Sequence, residues 1–262
     1  MTTPQIRFND GAGYERFMGV WSQSVGQQFL DWLALPSSLH WLDIGCGNGA
    51  FTGMIAERCA PAIIDGIDPS EDQLIYARQR TGLQAASFRQ GDAMALPYSD
   101  DSVDVAVMPL VIFFVPDPAK GVAEMTRVVR SGGTVSAYAW DMEGGGFPYF
   151  SLQQTLRDLG QVVPSPPSPE ASRLDVLQSL WSGAGLVDVQ THVITVQRTY
   201  ADFDDYWATI QFGPSVGKLL KMLTPEQVVT LQESLRARLP SPAADGSITC
   251  TARANAVNGR VQ

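Results

Sequence analysis

The sequence predicts an α/β fold built on a doubly wound parallel sheet, and three observations predict it. Apolar runs of strand length alternate with helix-like stretches from residue 39 to about 140. One run, Val103-Asp104-Val105-Ala106-Val107-Met108, is nearly continuous, as strands buried on both faces are in parallel sheets. The first run passes through the glycines of "GCGNG", residues 45–49, straight into a helix. A strand that turns through glycines into a helix is where such sheets bind a ligand.

The elements follow in order. Strands are expected at 39–44, 62–68, 86–91, 103–110 and 133–140, with a helix from Phe51 to Cys59 after the first. Ser70 reads as an N-cap, and Gln73 three residues on completes a capping box. Asp117 is a second N-cap, with Pro118 in the first helical position. Val122, Met125 and Val129 then give an apolar stripe, and Ser131-Gly132-Gly133 stops that helix and turns the chain into the next strand. Right-handed crossovers join such units.

The pattern changes after Trp140. Gly144-Gly145-Gly146 and the prolines of 164–169 mark residues 143–170 as a loop-rich insertion. Residues 172–182 read as helix, and Val187–Thr199 and Ser247–Val257 alternate like strands. Between those strands Ala201 to Leu239 has helical periodicity, with Pro225 after Thr224 opening its second helix. The 200–246 segment is too long for a tight hairpin, so it is a cap over the sheet edge or a small helical subdomain. No internal repeat is visible.

Composition narrows the partners. At 262 residues, 45% hydrophobic and 17% charged, the chain suits a single domain with a sizeable core. A net charge of −9 disfavours nucleic acid, whose phosphates need clustered Lys and Arg. Cys46, Cys59 and Cys250 form no CxxC pair or Cys/His cluster, so no disulfide framework or structural zinc site is signalled. The N-terminal stretch has no apolar signal core, and no run is long enough to span a membrane. A soluble cytoplasmic protein is expected.

The glycine loop admits two ligand classes. Gly45-x-Gly47-x-x-Ala50 fits a dinucleotide fingerprint, and taken alone it could be only a tight turn. Three acids at successive strand ends sharpen the choice. Asp68 ends the second strand, where doubly wound folds hold a ribose. Asp92 follows the third, ahead of Ala93. Asp43 lies inside the first strand, where its charge would repel a pyrophosphate and attract an amino group. A ligand with an amino-acid end, a ribose and an adenine accounts for all three. S-adenosyl-L-methionine is such a ligand, and its sulfonium suits an acidic pocket.

With these residues in view, the sequence resembles a class I S-adenosylmethionine-dependent methyltransferase of the bacterial small-molecule type. "LDIGCGNG", residues 42–49, matches the family's glycine motif. "GIDPS", 66–70, matches its ribose-binding strand end, and "GDAMALPYSDDSVDVAV", 91–107, its adenine motif and fourth strand. "EMTRVVRSGGTVSAYAW", 124–140, matches the next helix and strand. The resemblance implies a seven-stranded Rossmann-like sheet with its last strand antiparallel and a helical cap insertion. The whole of 1–262 would be one methyltransferase domain, with cap elements at 1–21, 142–170 and 200–246.

The resemblance also implies residue roles. Asp43 and the loop of Gly45, Cys46, Gly47 and Gly49 would hold the methionine end. Asp68, followed by Pro69, would bind the ribose hydroxyls. Asp92 and the Ala93 N–H would meet the adenine, and Met108, Pro109 and Leu110 would line the methionine side. "YERFMGVW", residues 14–21, resembles a segment that packs over the cofactor. Tyr14 and Trp21 are its acceptor-binding candidates, joined by Phe113, Phe114 and Trp207. Phe113, Phe114, Trp207 and Phe212 together suggest an aromatic or lipophilic small-molecule acceptor.

Methyl transfer needs alignment and a dry pocket more than a strong base. Many related enzymes carry a His after the fourth strand, where this chain has Phe113 and Phe114. His40 and His192 read as structural. Asp141, at the carboxyl end of the fifth strand, is the best remaining acid or base; its alternative role is an ion pair or a cap for the glycine-rich loop. No second acid accompanies it at ligand spacing, so no metal is expected. The rival readings are an NAD-dependent oxidoreductase, a cofactor-binding regulatory module without catalysis, and an RNA methyltransferase. Oligomeric state is not encoded in any motif.

Overall fold

In the computed structural model, residues 15–213, 216–220 and 222–262 are described. Strands β1 (His40–Ile44), β2 (Ile63–Asp68), β3 (Ser87–Gln90), β4 (Val103–Pro109), β5 (Val129–Trp140), β6 (Val187–Tyr200) and β7 (Ile248–Arg260) form one sheet. Their order is β3-β2-β1-β4-β5-β7-β6. The first five are parallel, and β7 runs antiparallel to both its neighbours. The doubly wound sheet with its last strand reversed is therefore as expected.

Nine helices among the described residues connect and cover it: α1 (Val20–Leu33), α2 (Ala50–Arg58), α3 (Glu71–Gln79), α4 (Pro118–Val128), α5 (Phe150–Asp158), α6 (Leu174–Gly183), α7 (Phe203–Ile210), α8 (Val216–Leu220) and α9 (Pro225–Arg236). A π-helical turn, Glu15–Gly19, leads into α1. α1 packs beside α2 and against β6, while α6 packs beside α4 and against β6 and β7. Tyr138 of β5 is wedged between Phe29 and Phe51, with ring centroids 4.6 and 5.7 Å away. Trp181 of α6 is pinned by its indole N–H, which donates to the Val135 carbonyl at 2.8 Å. Neither indole nor carbonyl is left unsatisfied in the core.

Local expectations hold with three corrections. Ser70 caps α3 by accepting from Gln73 N at 3.4 Å, but its own N–H donates to Asp68 Oδ1 instead of completing a capping box. α4 ends at Val128, because Val129 already pairs with Val103; the next pairing is Val105 with Thr134. Ser131 to Gly133 is thus a bulge within β5, not the turn before it. The 143–170 stretch contains α5, whose buried Leu152, Thr155 and Leu156 lie at helical spacing. By contrast Asp117 caps α4 on Lys120 N, and Thr224 builds a full capping box on Gln227.

Two features place the ligand crevice. The sheet order reverses between β1 and β4, and crevices open at such a switch point, beyond the carboxyl ends of the strands. β5 ends its pairing at Trp140 opposite Ala254, while β6 and β7 continue together to Tyr200 opposite Ile248. That two-stranded arm runs about 20 Å further, at ~3.3 Å per residue, and α7 to α9 hang from its tip. No helix among the described residues is long and apolar enough to cross a membrane.

Candidate active site

The glycine loop is bent back under the crevice by its own backbone. Gly45 N and Cys46 N both donate to the Ile67 carbonyl of β2, at 2.7 and 3.0 Å. Gly45, Gly47 and Gly49 take φ of +74°, +53° and +78°, a region side chains disfavour. At Gly45 the space is also closed: a Cβ would lie 2.4 Å from Val111 Cγ2. The loop is pressed against the segment that follows β4.

Asp68 ties this loop to α3. Its Oδ2 accepts from Gly47 N at 2.9 Å and its Oδ1 from Ser70 N at 2.8 Å. Burial raises its pKa, and the two N–H groups oppose that shift. Asp43 is more unusual. It is fully buried, Thr52 Oγ1 donates to its Oδ2 at 2.7 Å, and its Oδ1 has no partner. Burial pushes its pKa up to about 7, Thr52 opposes the rise, and the charge of Asp68 adds to it. A buried carboxylate oxygen without a donor is costly; an N–H or a cation would satisfy it. Burial and the same two acids push the Cys46 thiol far up, so it is a neutral packing group.

The remaining cofactor candidates stand at or just after the carboxyl ends of β2, β3 and β4. Asp92 is exposed after β3, with Oδ1 capping Met94 N at 2.9 Å, and Ala93 beside it is half-buried. Pro69 is exposed, and its carbonyl accepts from Gln90 Nε2 at 2.8 Å. Met108 and Pro109 are buried at the end of β4. Leu110 takes a φ of +60°, rare for a branched residue, and its N–H is fixed to the Tyr138 carbonyl at 2.7 Å.

The acceptor candidates are spread more widely. Tyr14 lies outside the described residues. Trp21 is completely buried at the start of α1. Phe113 and Phe114 touch at 4.6 Å between centroids, and the Phe113 carbonyl accepts from Ser168 N at 3.1 Å. Trp207 is half-buried on α7, stacked on Phe203 at 6.3 Å.

Asp141 is held on all sides. Arg253 Nε donates to its Oδ2 at 3.0 Å and Nη2 reaches the same oxygen, while Gly144 N donates to Oδ1 at 2.9 Å. Backbone bonds between Asp141, Gly146 and Arg253 close the loop onto β7. His40 bridges Asp65 at 3.0 Å at the opposite end of β1, and His192 stacks on Trp32 at 5.4 Å.

Sequence reasoning missed Thr52, Arg253 and a buried tyrosine set, Tyr149, Tyr200 and Tyr206. Thr52 sits in the first turn of α2, facing back to β1, and only that spacing hinted at it. Tyr149 was hidden in the stretch that looked like loop.

Known proteins share this architecture. Residues 42–137 match a family described as a methyltransferase domain. Over 147 residues the chain is 32% identical to 2-methyl-6-phytyl-1,4-hydroquinone methyltransferase 2 of Oryza sativa subsp. japonica, covering 56% of this chain and 41% of that protein. The chain spans less than half the length of the first curated relatives that it matches. The YcgJ protein of Bacillus subtilis superposes with a TM-score of 0.59 at 20% identity, over 92% of this chain and 99% of that one. A phosphoethanolamine N-methyltransferase of Haemonchus contortus, solved with S-adenosylhomocysteine, gives 0.58 at 14% identity, over 95% and 56%. These structural likenesses concern the fold alone.

Proposed function

With a class I S-adenosylmethionine-dependent methyltransferase domain over residues 42–137 as the premise, we propose that this chain transfers the methyl group of S-adenosyl-L-methionine to a small acceptor with an aromatic or lipophilic body. The observation that carries the reading is the unpartnered Oδ1 of fully buried Asp43 beside the glycine loop. An amino group fits that oxygen in charge and in hydrogen-bonding sense; a phosphate does not. This favours the methyl donor over a nicotinamide dinucleotide.

When bound, the cofactor supplies a methyl group on a cationic sulfur, ready for in-line displacement. The chain's own work is positioning. Asp43 holds the amino group. Asp68 keeps lone pairs on both oxygens for the ribose hydroxyls while its backbone bonds fix the loop. Asp92 and the Ala93 N–H meet the adenine edge, and Met108 to Leu110 wall the methionine side. The described parts of the cap segments, from residue 15 to 21 and within 142–170 and 200–246, would cover the acceptor and exclude water; residues 1–14 lie outside the described residues.

Asp141 has a positioning role in this proposal, because Arg253 occupies the oxygen that a proton would take. The acceptor then loses its proton to solvent or to a group it carries itself. A regulatory module of the same fold would share the cofactor site and lack turnover. Calorimetry tests the reading: S-adenosylmethionine or its demethylated product should bind at micromolar Kd, about −8 kcal/mol. Binding of NADH at the same site, or no binding of either sulfur compound, would overturn it.

A further inference from the structure

Residues 91–102 carry the chain from the carboxyl end of β3 back to the amino end of β4, with Asp92 and Ala93 at their head. Leu96 alone in this stretch is buried. One buried side chain holds a loop weakly, so its place depends on polar ties. The head is a tight turn, in which Met94 N donates to Asp92 Oδ1 at 2.9 Å and Ala95 N to the Asp92 carbonyl at 3.0 Å.

Two side chains of α4 grip the chain directly after that turn. Glu124 Oε2 accepts from Leu96 N at 2.8 Å. Arg127 Nη2 donates to the Leu96 carbonyl at 3.0 Å, and its Nη1 to the Tyr98 carbonyl and to Asp100 Oδ1, both at 2.8 Å. Arg127 Nε and Nη2 also reach the two Glu124 oxygens, at 2.7 and 2.8 Å. A guanidinium has five N–H donors, and here each one has an acceptor. The bonds from Arg127 hold the Glu124 carboxyl below its usual range, so the pair is charged. The tail of the loop is fastened differently, by backbone bonds from Asp101 N and Ser102 N to the Arg127 and Val128 carbonyls. Arg89 of β3 adds a bond to the Pro97 carbonyl at 3.0 Å. Both backbone groups of Leu96, next to the turn, are thus held by the side chains of Glu124 and Arg127.

We propose that Glu124 and Arg127 are positioning residues for base recognition, holding the turn of Asp92 and Ala93 where it reads the adenine of the cofactor. The proposal rests on the methyl-transfer reading and on the place it gives Asp92. Met94 N occupies Asp92 Oδ1, which leaves Oδ2 for an exocyclic amino group. A carbonyl oxygen at the same position, as in hypoxanthine, meets a carboxylate with no donor between them and is rejected. That discrimination needs the turn at a fixed height above the base. A loop ordered before binding also loses little freedom when the base arrives.

The test measures S-adenosylhomocysteine and its hypoxanthine analogue, S-inosylhomocysteine, by calorimetry on the full chain. The variants are Arg127→Met, Glu124→Gln and, as a control, Arg130→Met, which breaks the nearby ion pair of Arg130 with Asp104 and leaves the loop's bonds alone. The wild type should prefer the adenine compound by about tenfold, the worth of a hydrogen bond to a charged group. Arg127→Met should bring the ratio close to one, and Glu124→Gln should lower it part of the way. In both, the Leu96 amide should exchange faster than in the wild type. Arg130→Met should keep the wild-type ratio. A full ratio in folded Arg127→Met, or an equal fall in Arg130→Met, overturns the proposal and leaves the pair as a structural brace. Should Arg127→Met not fold, a full ratio in Glu124→Gln overturns it instead. Equal binding of both compounds to the wild type removes Asp92 from base reading and the proposal with it. If S-adenosylhomocysteine itself does not bind, the methyl-transfer reading fails first.

Discussion

Thr52 Oγ1 donates to Asp43 Oδ2 at 2.7 Å, and this is the bond that holds a fully buried carboxylate in place with its other oxygen free. The threonine lies on the first turn of α2 and the acid on β1, so the glycine loop between them is closed by a side-chain clasp. The clasp fixes the direction in which Oδ1 points. It also leaves the empty protein with a carboxylate it ionises reluctantly.

The first prediction is a pH dependence. The folded pKa of Asp43 is pushed up to about 7 from 3.8. A raised folded pKa means that the contribution is fully present below pH 3.8 and is lost as pH rises through about 7. The empty protein should therefore lose on the order of 4 kcal/mol over that window from this group alone. Asp43→Asn should remove that slope, so the variant gains on the wild type in urea unfolding at pH 8 and not at pH 4. It should also bind S-adenosylmethionine at least tenfold more weakly. An unchanged pH slope in the variant would show that Asp43 titrates normally.

The second prediction concerns Asp68. Asp68→Ala should cost about 2–4 kcal/mol in cofactor affinity, because two charge-assisted bonds to the ribose are lost. It also strips the acceptor from Gly47 N and Ser70 N, so the melting temperature should fall. Asp68→Asn keeps one acceptor oxygen and should recover part of the melting temperature but little of the affinity. Full affinity in Asp68→Ala, measured by calorimetry, would sink the ribose assignment.

How legible was this in the sequence? The turn through Gly45, Gly47 and Gly49 was readable because it needs positive φ, and the places of Asp43 within β1 and Asp68 at the end of β2 followed from the apolar runs around them. Asp117 and Thr224 were readable at helix starts because a proline follows each. The bulge at Ser131–Gly133 was not, since only pairing with Val103 shows that Val129 is already strand. Arg253 was invisible because its partner lies 112 residues away. The buried tyrosine set assembles from positions 149, 200 and 206, and no window of sequence brings them together.

The third prediction separates base from scaffold at Asp141. If it positions the loop, Asp141→Asn and Arg253→Met should behave alike: each lowers the melting temperature and raises KM for the acceptor, with kcat little changed. If it is a base, Asp141→Asn alone should drop kcat by about 10²–10⁴ and erase the acidic limb of the pH–rate profile. The first pattern is expected. The Asp141–Arg253 pair and the Gly144 cap already take both oxygens.

The fourth prediction is metal independence. Among the described residues no three His, Cys, Asp or Glu side chains cluster to hold a metal, and an in-line displacement from a sulfonium needs no Lewis acid. Turnover should survive excess chelator. Loss of activity restored by magnesium would reveal a carboxylate metal site and overturn this reading.

The last prediction asks whether the 200–246 segment is a lid. It hangs from the tip of the β6–β7 arm, beyond the end of β5, which puts it over the carboxyl ends of the strands. Within α7 the two aromatic residues differ in kind. Tyr206 is 1% exposed and packs on Tyr200 and Tyr149. Trp207 is half-buried and stacks along its own helix on Phe203, over whose ring Arg236 also lies, at 3.9 Å. Tyr206→Ala should therefore behave as a core truncation and cost about 3–5 kcal/mol of stability. Trp207→Ala should leave the melting temperature and cofactor affinity nearly intact and weaken acceptor binding. Amides of α7 to α9 should exchange quickly in the empty protein and slow when S-adenosylhomocysteine and acceptor are both bound. Slow exchange in the empty protein, together with a sharp loss of stability in Trp207→Ala, would mean that the segment is a fixed part of the core and that the acceptor enters elsewhere.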